Sequence, residues 1–330
     1  MSEALEDFSR WLKTHSLNSK ITADIEELKN LSILDLSKNK LRELPESISA
    51  LSNLSVLKLS NNRLSYLPKS IGKLKKLRNL QCENNLIKEL PNEIGDLESL
   101  VILNLNGNRL TKLPENFYEL KKLTRLTLAA NFLEDISPKL SQLSRLLYLS
   151  LDTNSLKELP DIFGKMSSLY YLDLSYNQFE TLPSSISEID ELETLLLEGN
   201  SIKGLPTLES HDMLIRLNLN DNNLKELNFN VSKLEDLQIL TLDNNNLISL
   251  PECICKLEKL NHLSVSSNQL KSLPKCIGEL KSLIELDIDE NYISEYPKSF
   301  YELKKLKNLY IDSNDGLKKP NLDSLEFCDI

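Results

Sequence analysis

The stretch "LSILDLSKNKLRELPESISAL", from Leu31 to Leu51, sets the frame of the whole sequence. Its apolar residues follow neither a helix period nor a strand period from end to end. The segment "LDL" alternates as a strand with one buried face does, whereas Ile48 and Leu51 are spaced as on one face of a helical turn. A single amide residue, Asn39, lies where the chain must turn out of "LDL". The stretch therefore predicts a short strand, a turn and an irregular or briefly helical return segment.

The same frame recurs along most of the chain. Its second copy, "LSVLKLSNNRLSYLPKSIGKL", begins at Leu54. Successive copies begin 23 residues apart, except for one step of 22 residues. The thirteen copies begin at Leu31, Leu54, Leu77, Leu100, Leu123, Leu146, Leu169, Leu192, Leu214, Leu237, Leu260, Leu283 and Leu306. Such self-similarity is typical of a solenoid whose stacked repeats share one core. Parallel strands are expected at 34–36, 57–59 and so on to 309–311.

The consensus LxxLxLxxNxLxxLPxxIxxL, with Leu-Pro and Ile in its second half, resembles the leucine-rich repeat in its 23-residue form. Repeats of this form occur in intracellular scaffolds linked to Ras-type signalling, in polarity scaffolds and in many bacterial proteins. The resemblance implies an α/β fold, a leucine-rich repeat solenoid curved like a horseshoe, with a parallel sheet on its concave face. We expect residues 1–30 to form a helical N-terminal cap with a partial repeat. Residues 31–330 are expected to form the repeat domain, including a C-terminal cap.

Asparagine occupies the ninth position of every repeat. The set consists of Asn39, Asn62, Asn85, Asn108, Asn131, Asn154, Asn177, Asn200, Asn222, Asn245, Asn268, Asn291 and Asn314. Backbone groups in a buried turn have neither water nor a sheet partner, and an Asn side chain offers them both donors and an acceptor. These residues are predicted to form a buried structural ladder rather than a ligand site.

Two departures from the frame predict local irregularity. Ser137 and Asn228 stand where other repeats have proline, and the eighth repeat is one residue short in "LPTLESHDM". We expect the regular stacking to change around residues 205 to 232.

The ends of the array need covers, because terminal repeats expose apolar faces. Residues 2–15 fit a helix that Ser2 can cap, with Leu5, Phe8, Trp11 and Leu12 on one side. Trp11 is expected to seal the first repeat. Residues 21–28, with Ile21, Ile25 and Leu28, match the second half of a repeat. At the other end, Leu322, Leu325 and Phe327 are expected to form a C-terminal cover.

The acidic composition narrows the class of partner. The net charge is −10 and the sequence pI is about 5.1, which argues against broad binding to nucleic acid or to anionic membranes. No apolar run approaches the roughly 18 residues that span a bilayer, and the N-terminus "MSEALEDFSRWLK" lacks the apolar region of a secretory signal. We expect a cytoplasmic monomer, with translocation into a host cell as the alternative.

The histidines do not predict an enzyme. Nucleophilic or metal catalysis needs a base, a nucleophile or a ligand set that converges in space. His15, His211 and His262 fall in the N-terminal cap, in the outer half of the eighth repeat and on a strand, so they are expected to lie far apart. We expect no catalytic residue, no metal and no cofactor.

The cysteines allow one alternative. Cys253 and Cys276 hold equivalent positions in adjacent repeats, so they could be neighbours on the outer face, with Cys255 nearby. A metal or redox site there would lack a fourth ligand. Reduced surface thiols are therefore the expected state.

The exposed strand residues are the predicted binding surface. Repeats five to nine carry large planar or apolar side chains at these positions, with two aromatic residues at the rim: Arg125, Tyr148, Tyr171, Leu196, Arg216, Phe132 and Tyr176. Tyr and Arg are the residue types enriched at interface hot spots. Because Tyr148 and Tyr171 hold the same position in successive repeats, and adjacent strands lie about 4.8 Å apart, their rings are expected to stack.

Charge is graded along the same face. Basic residues are found in the first five repeats, at Lys38, Lys40, Lys58, Arg63, Arg109 and Arg125. Acidic residues are found in the last four, at Asp243, Glu285, Asp287, Asp289, Glu290 and Asp312. The sequence thus predicts a non-catalytic recognition module or scaffold that binds a protein partner on its concave face, and neither nucleic acid nor membrane. The family resemblance leaves two alternatives, a regulatory scaffold for a small GTPase or phosphatase and a secreted bacterial effector that binds a host protein.

Overall fold

A computed structural model describes residues 2–15, 17 and 23–329 of the chain. The chain divides into two compact units, Met1–Leu156 and Lys157–Ile330. The N-terminal prediction that involves Ile21 lies outside the described residues, as does the capping side chain of Ser2.

Unit 1 begins with helices α1 (Ser2–Thr14) and α2 (Ile25–Asn30). Its strands are β1 (Ile33–Asp35), β2 (Val56–Lys58), β3 (Asn79–Gln81), β4 (Ile102–Asn104), β5 (Arg125–Thr127) and β6 (Tyr148–Ser150). Each strand pairs in parallel with the next, residue for equivalent residue. The return segments contain short 3-10 helices at Glu46–Ala50, Lys69–Lys73, Asn92–Asp96, Glu115–Glu119 and Pro138–Gln142.

Unit 2 continues the same architecture. Its strands are β7 (Tyr171–Asp173), β8 (Thr194–Leu196), β9 (Arg216–Asn218), β10 (Ile239–Thr241), β11 (His262–Ser264), β12 (Glu285–Asp287), β13 (Asn308–Tyr310) and β14 (Phe327–Asp329). They too pair in parallel in chain order. Its 3-10 helices are Phe163–Lys165, Ser184–Glu188, Val231–Lys233, Glu252–Lys256, Ile277–Glu279 and Lys298–Glu302.

These elements confirm the predicted solenoid of parallel strands, with each strand starting one residue earlier than expected. The middle residue is buried in β1 to β13, as Leu57 and Leu103 are, and the first residue is at least partly exposed. The third residue is also partly exposed in most strands, but it is a buried polar residue in β5, β6, β9, β10 and β11. This alternation defines the strand face, which we use as the name for the solvent-facing side formed by the first and third residues of the strands. The core between strands and return segments is filled by the leucines and isoleucines of the frame.

The predicted asparagine ladder is present, although its members differ in burial. Asn131 accepts a hydrogen bond from the Leu110 N–H at 3.0 Å and donates to the carbonyls of Leu105 and Leu128, both at 3.0 Å. The same pattern recurs in both units, for example at Asn245. Ten of the thirteen are buried, and three are half-buried rather than buried as predicted: Asn39, Asn154 and Asn200. Asn131 and Asn245 therefore satisfy turn groups of their own repeat and of the preceding one.

The residue before each ladder asparagine adopts a left-handed backbone conformation. Its φ is positive in every repeat from Lys38 to Ser313, and only Gly107 and Gly199 are glycines among the thirteen. A β-branched side chain is the least suited to this region, and Thr153 is there with φ of 56°.

The short eighth repeat is irregular, which agrees with the prediction for residues 205 to 232. Among the described residues, no helix separates β8 from β9. His211, only 1% exposed, occupies the core beside Leu208, where regular repeats place a leucine. Asn228 compensates for the missing proline, because its amide both accepts from the Leu205 N–H at 3.1 Å and donates to the Leu205 carbonyl at 2.9 Å.

The two end covers are built from different elements. Helix α1 packs on the return helix Glu46–Ala50 and buries Phe8 completely. Trp11 seals this end only in part, because it is half-buried and stacks on Phe8 at a centroid distance of 5.6 Å. At the C-terminal end Phe327 opens strand β14, which pairs with β13 beyond the last repeat strand. Its ring is 47% exposed and lies 5.4 Å from the ring of Tyr310.

Candidate protein-binding surface

Unit 1 places two of the predicted residues in direct contact. Strands β5 and β6 are paired so that Arg125 lies opposite Tyr148. The guanidinium carbon of Arg125 lies 3.7 Å from the centre of the Tyr148 ring. This is a cation–π contact, in which the ring face attracts the charge. Tyr148 is half-buried and Arg125 is exposed. The contact therefore positions both side chains while leaving them accessible to a partner.

Phe132 does not join this pair. It follows the turn after β5, and its backbone N–H donates to the Leu110 carbonyl at 2.9 Å. Its side chain is 55% exposed and makes no ring contact with a described residue. Phe132 is therefore a separate apolar projection at the edge of the strand face.

In unit 2 the predicted residues occupy different rows of the strand face. Tyr171 and Arg216 are first residues of their strands, whereas Leu196 is the last residue of β8. Tyr171 and Leu196 are half-buried and Arg216 is exposed. The Tyr171 hydroxyl donates to Asp173 Oδ2 at 3.4 Å.

Tyr176 is held at the edge of the sheet by two features. It is 51% exposed, and its hydroxyl donates a short hydrogen bond to Glu198 Oε1. That bond is the main reason why the pKa of Tyr176 is raised to about 12. The ring lies against Gly199, where a Cβ atom would be 2.5 Å from Tyr176 Cδ1. Glycine at this position is therefore what allows the ring to lie flat on the next repeat.

A groove of about 390 Å³ extends from Arg216 over the next strands of unit 2. It is lined by Arg216, Ile239, Thr241, Asn261, His262, Ile284 and Glu285. His262 Nδ1 lies 3.3 Å from Glu285 Oε1, whereas the Arg216 guanidinium makes no hydrogen bond or ion pair with a described residue. Sequence reasoning did not group these residues, although four of them share the third position of the repeat and so were bound to be neighbours on paired strands.

Acidic residues lie near the ends of β10 and β12 in unit 2. Burial raises the pKa of Asp243, and burial together with neighbouring carboxylates raises the pKa of Asp287. The pKa of Asp289 is raised to about 6, first by burial and then by Asp287. Asp289 nevertheless accepts the Asp312 N–H at 2.6 Å, so its carboxylate is part of the inter-repeat hydrogen bonding.

The histidines lie on separate elements, as the sequence predicted. His15 follows α1 and packs on Trp11, while His262 is on β11. His211 is buried, with Nε2 3.0 Å from the Ile186 carbonyl, and burial lowers its pKa. Its Nδ1 also faces a carbonyl, that of Leu208 at 3.3 Å, and a neutral imidazole can donate to only one of the two. The surroundings are those of a core residue.

The expectation of reduced surface thiols was wrong for two of the cysteines. Cys255 is 3% exposed and forms a disulfide with Cys276, with Cα atoms 5.8 Å apart. Cys253, which shares its repeat position with Cys276, is a free cysteine. Equivalent positions in adjacent repeats lie side by side, but the side chain of the nineteenth residue points toward the seventeenth of the next repeat, and the equivalence argument missed this offset.

Sequence comparisons place the chain in a family. Models of leucine-rich repeats match residues 68–138, 144–202, 30–51, 53–74 and 236–257. A solved leucine-rich repeat protein from Leptospira interrogans is 36% identical, and the match covers 89% of this chain and 81% of that chain with a TM-score of 0.77. The chain therefore belongs to the leucine-rich repeat family. No curated protein matches it.

Two further solved structures share the fold. The match to an internalin, InlF, from Listeria monocytogenes is 23% identical, covers 96% of both chains and has a TM-score of 0.72. The match to YopM from Yersinia enterocolitica is 24% identical, covers 99% of this chain and 76% of that chain and has a TM-score of 0.69. At these identities the likeness concerns the fold alone. None of the helices formed by the described residues has the length and apolar character to cross a membrane.

Proposed function

We propose that this protein is a non-catalytic recognition module whose protein partner docks on the strand face. The leucine-rich repeat fold is generally a protein-interaction module, which supports the general class. The observation that carries the proposal is the Arg125–Tyr148 pair of unit 1, with its guanidinium 3.7 Å from the ring centre. A planar cation held on an aromatic ring loses little further freedom when a partner binds, so it suits an interface anchor.

Unit 1 favours an acidic partner segment. Arg125 projects its charge from the strand face, and Lys58 on β2 lies on the same face. A carboxylate of the partner can accept both guanidinium donors in one plane while the tyrosine ring covers its apolar neighbour. The basic residues of the first five repeats would also speed the encounter with such a segment.

Unit 2 offers a second surface of different character. Arg216 has no partner among the described residues, and beside it the groove presents the apolar side chain of Ile239 and the His262–Glu285 pair. Tyr171 and Leu196 extend the apolar area on the first strands of this unit. An unpaired arginine next to an apolar groove suits a partner residue that carries both a carboxylate and a hydrophobic neighbour.

The finer assignment rests on the repeat consensus. We infer the 23-residue class found in Ras-linked scaffolds and in bacterial proteins, and a cytoplasmic monomer. A regulatory scaffold for a small GTPase or phosphatase is one alternative. The 36% identity to a Leptospira interrogans protein favours a bacterial protein as the second candidate. In that case a host protein is the partner and the chain acts after translocation.

The first experiment tests the anchor in unit 1. The immobilised chain captures partners from bacterial and eukaryotic lysates, and the captured protein is then titrated by calorimetry against the wild type, Tyr148→Ala and Arg125→Ala. Each variant should weaken binding by about 2 kcal/mol, as hot-spot truncations do. Tyr66→Ala is the matched control, because Tyr66 is 45% exposed but lies outside the strands. Equal affinity of all four proteins for the captured partner would refute docking at this pair.

The second experiment tests unit 2 in the same way. Arg216→Ala and Tyr171→Ala are compared with Tyr301→Ala, whose target residue is 44% exposed on the return helix Lys298–Glu302. Loss of affinity in the first two and not in the third would place the partner on this unit also. Loss only in Tyr301→Ala would move the site to the return segments. Circular dichroism of every variant serves as the folding control.

A further inference from the structure

The bridge between Cys255 and Cys276 lies in unit 2, on the side of the repeats that is opposite the strand face. Cys255 belongs to the return helix Glu252–Lys256, and Cys276 directly precedes the return helix Ile277–Glu279. The pair links two successive repeats through residues that are 21 apart in sequence. Their Cα separation of 5.8 Å is within the range that a disulfide spans without backbone movement.

The repeat frame itself brings these two positions together. Cys255 is the nineteenth residue of its repeat and Cys276 the seventeenth of the next. Elsewhere the nineteenth residue is often glycine, and a Cβ added there would meet the seventeenth residue of the following repeat. Added to Gly72 it would be 3.0 Å from Glu93 Cβ, and added to Gly95 it would be 2.9 Å from Asn116 Cβ. The nearest atom in both cases is the backbone carbonyl oxygen of the seventeenth residue, at 2.3 Å from the Cβ added to Gly72 and 2.0 Å from the one added to Gly95. Side chains at these two positions therefore lie next to each other, which brings a pair of cysteines there within bonding distance.

The two sulfurs differ in access and in surroundings. Cys255 is buried, whereas Cys276 is half-buried, so an external thiol can approach the bond only from Cys276. Glu252 Oε2 lies 2.8 Å from Cys276 Sγ, and Glu252 Oε1 accepts the Lys275 N–H at 3.1 Å. The carboxylate is thus fixed beside the accessible sulfur, where it repels an incoming thiolate and can accept a hydrogen bond from the Cys276 thiol after reduction.

We propose that Cys255 and Cys276 form a reversible redox site, opened and closed by a low-molecular-weight thiol and its disulfide, of the glutathione class. In the opening reaction a thiolate attacks Cys276 Sγ, the bond between the two protein sulfurs breaks, and Cys255 leaves as a thiolate that takes up a proton. A second thiolate then attacks the small-molecule sulfur of the mixed disulfide and releases Cys276. The protein gains two electrons and two protons, and two small thiols become one disulfide.

Reduction should loosen one place in the molecule. The bridge holds the return helix Glu252–Lys256 to the next repeat, whose strand β11 contributes His262 to the groove on the strand face. With the bond open, this helix loses its covalent link to the next repeat and is restrained only by non-covalent contacts, among them packing and the hydrogen bond from the Lys275 N–H to Glu252 Oε1. The redox site therefore gives unit 2 a tight and a loose form of the same fold. This proposal does not depend on the identity of any partner.

The test is alkylation and mass spectrometry of the folded full-length chain, equilibrated with mixtures of reduced and oxidised glutathione and then unfolded under iodoacetamide. In the oxidising mixture Cys82, Cys253 and Cys328 should be labelled and the bridged pair protected, whereas in the reducing mixture all five cysteines should be labelled. Cycling between the mixtures should restore protection each time. Limited proteolysis at Lys256 should be at least about threefold faster in the reduced protein, because local opening exposes the cleavage site.

Matched variants separate the redox site from a general effect on folding. Cys276→Ser should leave Cys255 labelled in every mixture. Cys253→Ser should leave the protection of Cys255 and Cys276 as it is in the wild type. The double variant Cys255→Gly with Cys276→Ser reproduces the unbridged pair Gly278 and Ser299, so it should fold and be insensitive to the mixtures. Glu252→Gln should increase the rate of reduction at least about twofold at low salt and less at high salt, since the repulsion is screened.

Three outcomes would overturn the proposal. A bridge that resists millimolar reduced glutathione in the folded chain would be a static cross-link. Labelling of both cysteines in the oxidising mixture would mean that the pair stays reduced. Protection of the pair by one equivalent of zinc in the reducing mixture would instead identify a metal site, since donor atoms of Glu252, Cys255 and Cys276 lie within 4.8 Å of one another.

Discussion

Replacing Asn131 by alanine removes one member of the asparagine ladder in the interior of unit 1. Asn131 is 5% exposed and makes hydrogen bonds to four backbone groups. The three carbonyls among them retain another donor after the change. Asn108 also donates to Leu105, Asn154 also donates to Leu128, and the Gly107 N–H also donates to Ala129. Only the Leu110 N–H loses its acceptor altogether.

This accounting sets the size of the effect. A buried N–H without a partner costs about 1–3 kcal/mol, and weakening the three shared bonds adds roughly 1 kcal/mol in total. We expect Asn131→Ala to lower the free energy of unfolding by about 2–4 kcal/mol. Asn131→Asp keeps the acceptor for Leu110 but turns an oxygen toward the carbonyls, so it should cost more at pH 7 than at a pH where the carboxyl is protonated.

Urea titration followed by circular dichroism measures the difference, read from the midpoint at constant slope. Asn92→Ala is the matched control, because Asn92 is exposed and its side chain makes no hydrogen bond with a described residue. That control should stay within about 0.5 kcal/mol of the wild type. Equal losses in Asn131→Ala and Asn92→Ala would show that the ladder bonds do not stabilise the turns.

For three further substitutions the structure predicts the direction of the change in stability. Thr153→Asn should stabilise unit 1 by about 0.5–1 kcal/mol in urea titrations, because asparagine tolerates the positive φ of 56° better than a β-branched residue does. Because the pKa of Asp289 is raised to about 6, its protonation stabilises the folded state fully below pH 3.8, and this stability is lost as pH rises through about 6. Asp289→Asn still accepts the Asp312 N–H. The variant should therefore be more stable by about 1 kcal/mol at pH 7, after allowance for solvent screening, and its stability should depend less on pH. The lowered pKa of His211 has the opposite effect on stability, because the unfolded chain binds the proton first as pH falls below 6.5. His211→Leu should therefore remove the part of the decrease in melting temperature below pH 6.5 that is due to this histidine. An unchanged dependence of melting temperature on pH would contradict the burial argument.

The strands could be predicted because every repeat has the same alternation of apolar and polar residues at the same positions. Alternation around Leu57 or Leu103 fixes which residue is buried, and the constant period fixes the register between neighbours. Strand β14 was missed because its middle position holds the half-buried Cys328 instead of a leucine and because the spacing is shorter after Asn314.

The candidate site was only partly accessible to the same reasoning. That Arg125 and Tyr148 are neighbours follows from the period, but the placement of the guanidinium over the ring depends on side-chain torsions that no period encodes. Predicting the bridge between Cys255 and Cys276 requires the direction of the Cα–Cβ bond in the return segment. Several other repeats have glycine at the position of Cys255, so their sequences carry no side chain from which that direction could be inferred.

The ladder bonds all point one way along the chain, and this has a consequence for synthesis on the ribosome. The Leu110 N–H is satisfied by Asn131, which is made 21 residues later. At 5–20 residues per second, each new turn therefore waits about 1 to 4 s for the amide that completes it. A growing chain always ends in one unfinished turn, so a pause in translation exposes the most recent repeat to chaperones or proteases while the earlier repeats are already closed.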